Sequence, residues 1–183
     1  MTTTLASRKL SRLLGYLDSL TQRAPLKELE RQLRILDLSV EDVADYARFN
    51  EVNYRRNLVH GGTWYHLLVL CWRSGQRSPI HNHAESTCGV KVLRGIATET
   101  KFEMSPCGLV KAVSSQDLEE GLIAATQDAD MHQISNLQTE GRDLITLHIY
   151  SPPLLRMKTF SLTDRAVSDY VPEIMDHCHG SGI

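Results

Sequence analysis

The chain has 183 residues, 42% of them hydrophobic and 23% charged, enough for one domain with a real apolar core and too few for two independent domains of ordinary size. Its 20 basic and 22 acidic residues give a formal charge of -2 and are spread along the sequence, so it carries neither the basic footprint of a nucleic-acid binder nor a polybasic membrane patch. No stretch approaches the roughly 20 apolar residues of a membrane span. The first twenty residues, MTTTLASRKLSRLLGYLDSL, mix Arg and Lys with Leu at helical spacing, without the apolar core or small-residue cleavage site of a signal peptide. The cysteines, Cys71, Cys88, Cys107 and Cys178, are widely separated. Without a secretory signal they read as free thiols in a reducing cytoplasm rather than a disulfide framework.

In chain order, Leu10, Leu13, Leu14, Leu17 and Leu20 recur at the three-and-four spacing of one helical face. Leu26, Leu29, Leu33 and Leu36 repeat the pattern behind Pro25, which stands where a helix can begin. Ser39 then offers a cap, with Asp42 three residues on, for a short third helix carrying Val40, Val43 and Tyr46. These elements predict a helical layer over residues 1–50. From 51 to 175 the chain changes to short runs rich in β-branched and aromatic residues: Trp64 to Trp72, Cys88 to Leu93, Ile96 to Phe102 and Leu144 to Tyr150. Turn signals at Gly61-Gly62, Ser74-Gly75, Gly95, Pro106-Cys107-Gly108, Glu120-Gly121 and Glu140-Gly141 separate them. Many short strands at regular spacing predict a mainly β sandwich or small barrel. Residues 176–183 read as a loose polar tail, all one structural domain overall.

The informative segment runs Gly75-Gln-Arg-Ser-Pro-Ile-His81-Asn-His83-Ala-Glu-Ser-Thr-Cys88. Residues two apart on a strand share a face, so His81 and His83 can aim both imidazoles at one point inside a barrel. A third donor, His132, lies on a later strand-like run. Three imidazoles suit a first-row metal and leave open positions for substrate and oxygen. The spacing Gly75-x5-His81-x-His83 followed by Gly95 resembles the first motif of the cupins, and His132-x3-Asn136 resembles the end of the second, where Gln127 and Ala129 replace the usual proline and glycine. The resemblance implies a jelly-roll-like small β-barrel beneath the helical layer. Where cupins commonly carry a glutamate ligand, four or five residues after the second histidine, this chain has Thr87 and Cys88. Glu85 is out of register and reads as solvated or supporting.

That departure resembles the cysteine dioxygenases of type I. Further segments match that family in order over residues 50 to 155: Tyr54-Arg-Arg56-Asn-Leu, Leu70-Cys71-Trp72 and Leu147-His148-Ile-Tyr150-Ser-Pro-Pro153. The resemblance implies Fe(II) on His81, His83 and His132, the cysteine carboxylate on Arg56 beside Tyr54, and catalytic roles for Tyr150 and His148. It also implies a thioether cross-link between Cys88 and Tyr150 and a cis bond at Ser151-Pro152. The implied reaction turns cysteine and dioxygen into cysteine sulfinic acid, in a monomeric cytoplasmic enzyme with no nucleic-acid or membrane partner.

Two other functions compete. A dioxygenase of another small thiol, such as 3-mercaptopropionate, would share the metal, but its relatives commonly replace the arginine at position 56. A metal-binding cupin without catalysis would be a sensor module, and no DNA-binding element is attached here. The run His177-Cys178-His179 offers donors in a row and reads as adventitious. Cys71 reads as core and Cys107 as a turn residue.

Overall fold

A computed structural model describes residues 5–127 and 130–176. Among the described residues two helices, α1 (Leu5–Asp18) and α2 (Leu26–Ile35), and a 3-10 turn (Glu41–Tyr46) precede twelve strands. These are β1 (Arg55–Gly62), β2 (Tyr65–Trp72), β3 (Ile80–His81), β4 (Thr87–Arg94), β5 (Ala97–Met104), β6 (Val110–Leu118), β7 (Ile123–Gln127), β8 (Met131–Ser135), β9 (Leu144–Ser151), β10 (Met157–Phe160), β11 (Val167–Tyr170) and β12 (Met175–Asp176). They form two six-stranded sheets, β12-β1-β2-β9-β4-β7 and β11-β10-β3-β8-β5-β6, which is the jelly-roll barrel that the cupin resemblance implied. No helix among the described residues is long and apolar enough to cross a membrane.

The central strands of the first sheet, β2 and β9, are buried on both faces, which explains why they read as largely apolar runs instead of alternating ones. Leu67, Val69 and Cys71 of β2, with Ile145, Leu147 and Ile149 of β9, pack outward against Leu10, Leu13 and Leu17 of α1 and Leu29 and Leu33 of α2. Leu68, Leu70 and Trp72, with Leu144 and Tyr150, face the interior between the sheets. The antiparallel register pairs Leu68 with His148 and His66 with Tyr150, so the inward side of β9 delivers polar groups into an apolar slab. At Gly89 on β4 an added Cβ would lie 2.6 Å from Leu33 Cδ1 and 3.1 Å from Leu29 Cδ2, and its absence lets α2 lie close on the sheet.

Local details differ from expectation. The 3-10 turn has Val40 at its N-cap position, without a side-chain cap. Ser39 instead donates both its N–H and its hydroxyl to the Asp42 carboxylate, each at 2.8 Å, and Lys9 Nζ reaches the same oxygen at 2.7 Å. Asp42 is thus the acceptor that ties this turn together and to α1. The strand expected to carry both histidines of the His-x-His pair ends at His81. His83 sits in the loop beyond it, held by the Ser86 N–H on its carbonyl at 2.9 Å. The run His177-Cys178-His179 lies outside the described residues.

Candidate metal centre

His81 and His132 are direct partners in the β3–β8 pairing, and the extended segment after β3 brings His83 over both. The ring centroids are 5.2 Å apart for His81 and His83, 4.8 Å for His81 and His132, and 4.6 Å for His83 and His132. One ligand nitrogen from each ring lies within 4.8 Å of the others, and all three residues are buried. His81 Nδ1 stands 2.9 Å from the Pro79 carbonyl and His132 Nδ1 stands 2.8 Å from Glu99 Oε1. Both partners accept only, so each Nδ1 carries a proton and each Nε2 is the nitrogen left to face a metal.

His132 Nε2 and His83 Nε2 are 3.1 Å apart. Two imidazoles sharing one first-row ion through bonds of about 2.1 Å at about a right angle would have their nitrogens about 3 Å apart. The donor set therefore fits a metal ion. Burial first, then the His132 charge, lowers the His81 pKa to about 3, and burial with the neighbouring histidines lowers His83 well below the usual range. Both rings are neutral at physiological pH, as metal ligation requires.

Glu99 escapes a reading of the sequence, because Thr-Glu-Thr on β5 looks like a solvated strand. It is 5% exposed, and Gln116 Nε2 on β6 donates to its second oxygen at 2.7 Å. Burial alone would raise its pKa, but the hydrogen bonds and charges around it, those of His132 foremost, hold it below the ordinary value. A carboxylate behind a ligand imidazole fixes the ring and strengthens it as a donor. The detectable signal was positional: Glu99 falls on the inward side of β5 together with Ala97. Glu85, by contrast, is exposed.

Opposite the triad, β1 and β9 line a small cavity that Tyr54, Arg56, Trp72, His81, His132, His148 and Tyr150 share. Tyr54 stacks on Trp72 with centroids 4.1 Å apart and planes 11° apart. Arg56 is 4% exposed, and its Nε and Nη2 have no hydrogen-bond partner among the described residues. A buried cation with open donors is costly unless an anion meets it. Trp72 Nε1 donates to Thr146 Oγ1 at 3.0 Å, Thr146 Oγ1 lies 2.9 Å from His148 Nε2, and His148 Nδ1 lies 3.0 Å from the Tyr150 hydroxyl. The indole can only donate, so Thr146 accepts from Trp72, and the Thr146 hydroxyl, the His148 ring and the Tyr150 hydroxyl complete one buried hydrogen-bonded chain. Burial and then Arg56 keep the His148 pKa well below the usual range, so the ring has one proton to give. Thr146 is the second member of this chain that the sequence left unmarked.

Cys88 on β4 and Tyr150 on β9 are paired across the strands. Cys88 is a buried free thiol, and burial above all pushes it far up from the ordinary thiol range. The Ser151-Pro152 bond is cis. Cys71 is buried and Cys107 lies exposed in its turn.

A double-stranded β-helix with three buried imidazoles converging in its interior defines a metal-binding cupin. Solved structures agree on the fold. A Thermus thermophilus protein matches at TM-score 0.52 and 17% identity over 63% of this chain and 99% of its own. A Klebsiella pneumoniae protein with a double-stranded β-helix domain matches at TM-score 0.51 and 20% identity over 60% and 81%. The sequence profile of the family described as Cysteine dioxygenase type I matches residues 2–163. Cysteine dioxygenase type 1 of Danio rerio is 31% identical over 140 residues, covering 74% of this chain and 69% of the relative. That of Homo sapiens is 32% identical over 133 residues, covering 70% and 66%. The chain belongs to the cysteine dioxygenase type I family, and it spans about two thirds of the length of these relatives.

Proposed function

We propose that this protein is an Fe(II)-dependent cysteine dioxygenase that converts L-cysteine and dioxygen to cysteine sulfinic acid. The observation that carries the substrate is Arg56. Arg56, with two unpartnered guanidinium nitrogens, lines the same cavity as His81 and His132 of the triad, and a guanidinium fork matches a carboxylate in two hydrogen bonds. Charge points the same way. A ligand set of three histidines, with no carboxylate, leaves the charge of a divalent ion uncompensated beside a buried arginine, so a substrate bringing both a carboxylate and a thiolate offsets both.

Iron held by His81, His83 and His132 would supply a Lewis acid that favours the substrate thiolate, and the redox partner that dioxygen needs. The chain's own residues do the rest. Arg56 anchors the carboxylate and turns an encounter into an oriented complex. Tyr54, fixed on Trp72, walls the cavity and limits it to a small molecule. Trp72, Thr146 and His148 hold the Tyr150 hydroxyl at the cavity wall, beside the sulfur and oxygen that react there. Both atoms of dioxygen end on sulfur, and the thiol proton leaves to solvent.

Cys88 and Tyr150 form a thioether during turnover. The thiol S–H and one ring C–H give way to a C–S bond, and the two protons and two electrons released reduce dioxygen to hydrogen peroxide. Their cross-strand pairing supports this, and intact mass tests it: protein after turnover should be lighter by two hydrogens, and an unchanged mass removes the cross-link. The reading includes a reducing cytoplasm, which the free Cys71, Cys88 and Cys107 support. It also includes a monomer, which a site built wholly from one chain supports.

Oxygen uptake and sulfinate formation with cysteine, cysteamine and 3-mercaptopropionate test the substrate. Cysteine should be preferred. Faster turnover of 3-mercaptopropionate would reassign it, and no uptake with any thiol would leave a binding module.

A further inference from the structure

The loop between α1 and α2 closes on the two strands that carry Cys88 and Tyr150. Ala24 N–H donates to Ser151 Oγ at 2.9 Å, and Thr87 Oγ1 donates to the Ala24 carbonyl at 2.8 Å. Arg23 Nε donates to the same Thr87 hydroxyl at 3.0 Å. One residue of the helical layer is thereby gripped by two hydroxyls on neighbouring strands. Thr87 and Ser151 are both fully buried, and they are direct cross-strand partners one rung from Cys88 and Tyr150. The position matters because the ladder ends there. Thr87 is the first residue of β4 and Ser151 the last of β9, and Thr87 also pairs with Gln127, the last of β7. Strand ends open more readily than strand middles. Beyond this rung the link between β4 and β9 passes to side chains, with Ser86 Oγ donating to the Pro152 carbonyl at 2.9 Å.

We infer that Thr87 and Ser151 are positioning residues: with the Ala24 backbone they clamp the open end of the β4–β9 ladder and so hold Cys88 and Tyr150 in register for their chemistry. The alternation of the strands fits this division. Cys88 and Tyr150 face the barrel interior, while Thr87 and Ser151 face the loop. The clamp makes the helical layer part of the active site, although it sends no side chain into the cavity. This inference rests on the proposed thioether for its chemical consequence, and on geometry alone for its mechanical one.

The test compares the wild-type iron-loaded protein with Thr87→Val, Ser151→Ala, Thr87→Ser and Leu10→Ala. Leu10→Ala weakens the helical layer's packing away from the clamp. Amide hydrogen exchange at Cys88 and Tyr150 should speed up about tenfold in Thr87→Val and Ser151→Ala, the scale of one buried hydrogen bond lost. It should stay at the wild-type rate in Thr87→Ser, which keeps the hydroxyl, and in Leu10→Ala. The fraction of cross-linked protein formed per turnover should fall in the same two variants, with the KM for cysteine unchanged. Unchanged exchange in Thr87→Val and Ser151→Ala overturns the clamp. So does an equal acceleration in Leu10→Ala, or accelerated exchange with cross-linking at the wild-type rate. A wild-type protein that never cross-links would refute the thioether reading instead, while exchange still decides whether the clamp exists.

Discussion

The guanidinium carbon of Arg56 lies 5.0 Å from the centroid of the Tyr150 ring. Two strands of one sheet thus bring a fixed cation against the face of an aromatic ring that lines the cavity. The contact steadies Arg56 from one side and leaves Nε and Nη2 open on the other. The same charge acts against the protonated form of His148, so the residue proposed to bind the carboxylate also helps keep the tyrosine's partner neutral.

Arg56→Ala should therefore raise the KM for cysteine by about 10- to 100-fold, as expected for losing charge-assisted hydrogen bonds. Cysteamine, which has no carboxylate, should be affected much less. Steady-state oxygen uptake with both thiols checks this, and equal effects on the two would take the carboxylate away from Arg56.

Glu99→Gln should weaken metal binding by about 10- to 100-fold, because the ring behind which Glu99 sits loses its charged acceptor. Optical titration of the metal-free protein with Co(II) reads this without any turnover. An affinity equal to wild type would reduce Glu99 to a packing role.

The metal-free protein should lose stability on mild acidification. His81, with its pKa lowered to about 3, and His148, well below the usual range, stay unprotonated in the fold. The unfolded chain takes up these protons near pH 6.5. Their contribution is therefore complete above about pH 6.5 and declines as the pH falls from there towards about 3. The melting temperature after chelation should be lower at about pH 5 than at about pH 7.5. Equal melting temperatures would show that the rings are not held neutral.

Gly89→Ala should cost about 1–3 kcal/mol, because its Cβ would overpack Leu33 and Leu29 of α2. Denaturant unfolding measures this, and a neutral result would mean that α2 shifts freely on the sheet.

What the sequence disclosed follows from where physics leaves periodic marks. The runs of β2 and β9 were legible because both faces are buried, and the helical layer because Leu10, Leu13 and Leu17 keep a strict face. β6 was not legible. Its sequence from Lys111 to Asp117 is exposed throughout, so it shows no alternation of buried and exposed residues, and the ladder with β5 that pairs it into the sheet has no side-chain signature. His81 and His83 stood out by spacing, but Arg56 and Tyr150 stood out only by resemblance, since neither spacing nor composition separates a buried arginine from a surface one. Glu99, Thr146, Thr87 and Ser151 share one reason for escaping notice. Each is a common polar residue on a strand, and its role comes from a partner distant in sequence, such as His132 for Glu99 and Ala24 for Ser151.

The central claim is that a metal held by His81, His83 and His132 lets dioxygen oxidise cysteine at sulfur. Turnover under ¹⁸O-labelled dioxygen in ordinary water, followed by mass spectrometry of the product, tests it most directly. The account predicts cysteine sulfinate with both oxygens labelled, formed by the iron-loaded protein and lost in His132→Ala. A product with one labelled oxygen or none, or undiminished formation in His132→Ala, would contradict it.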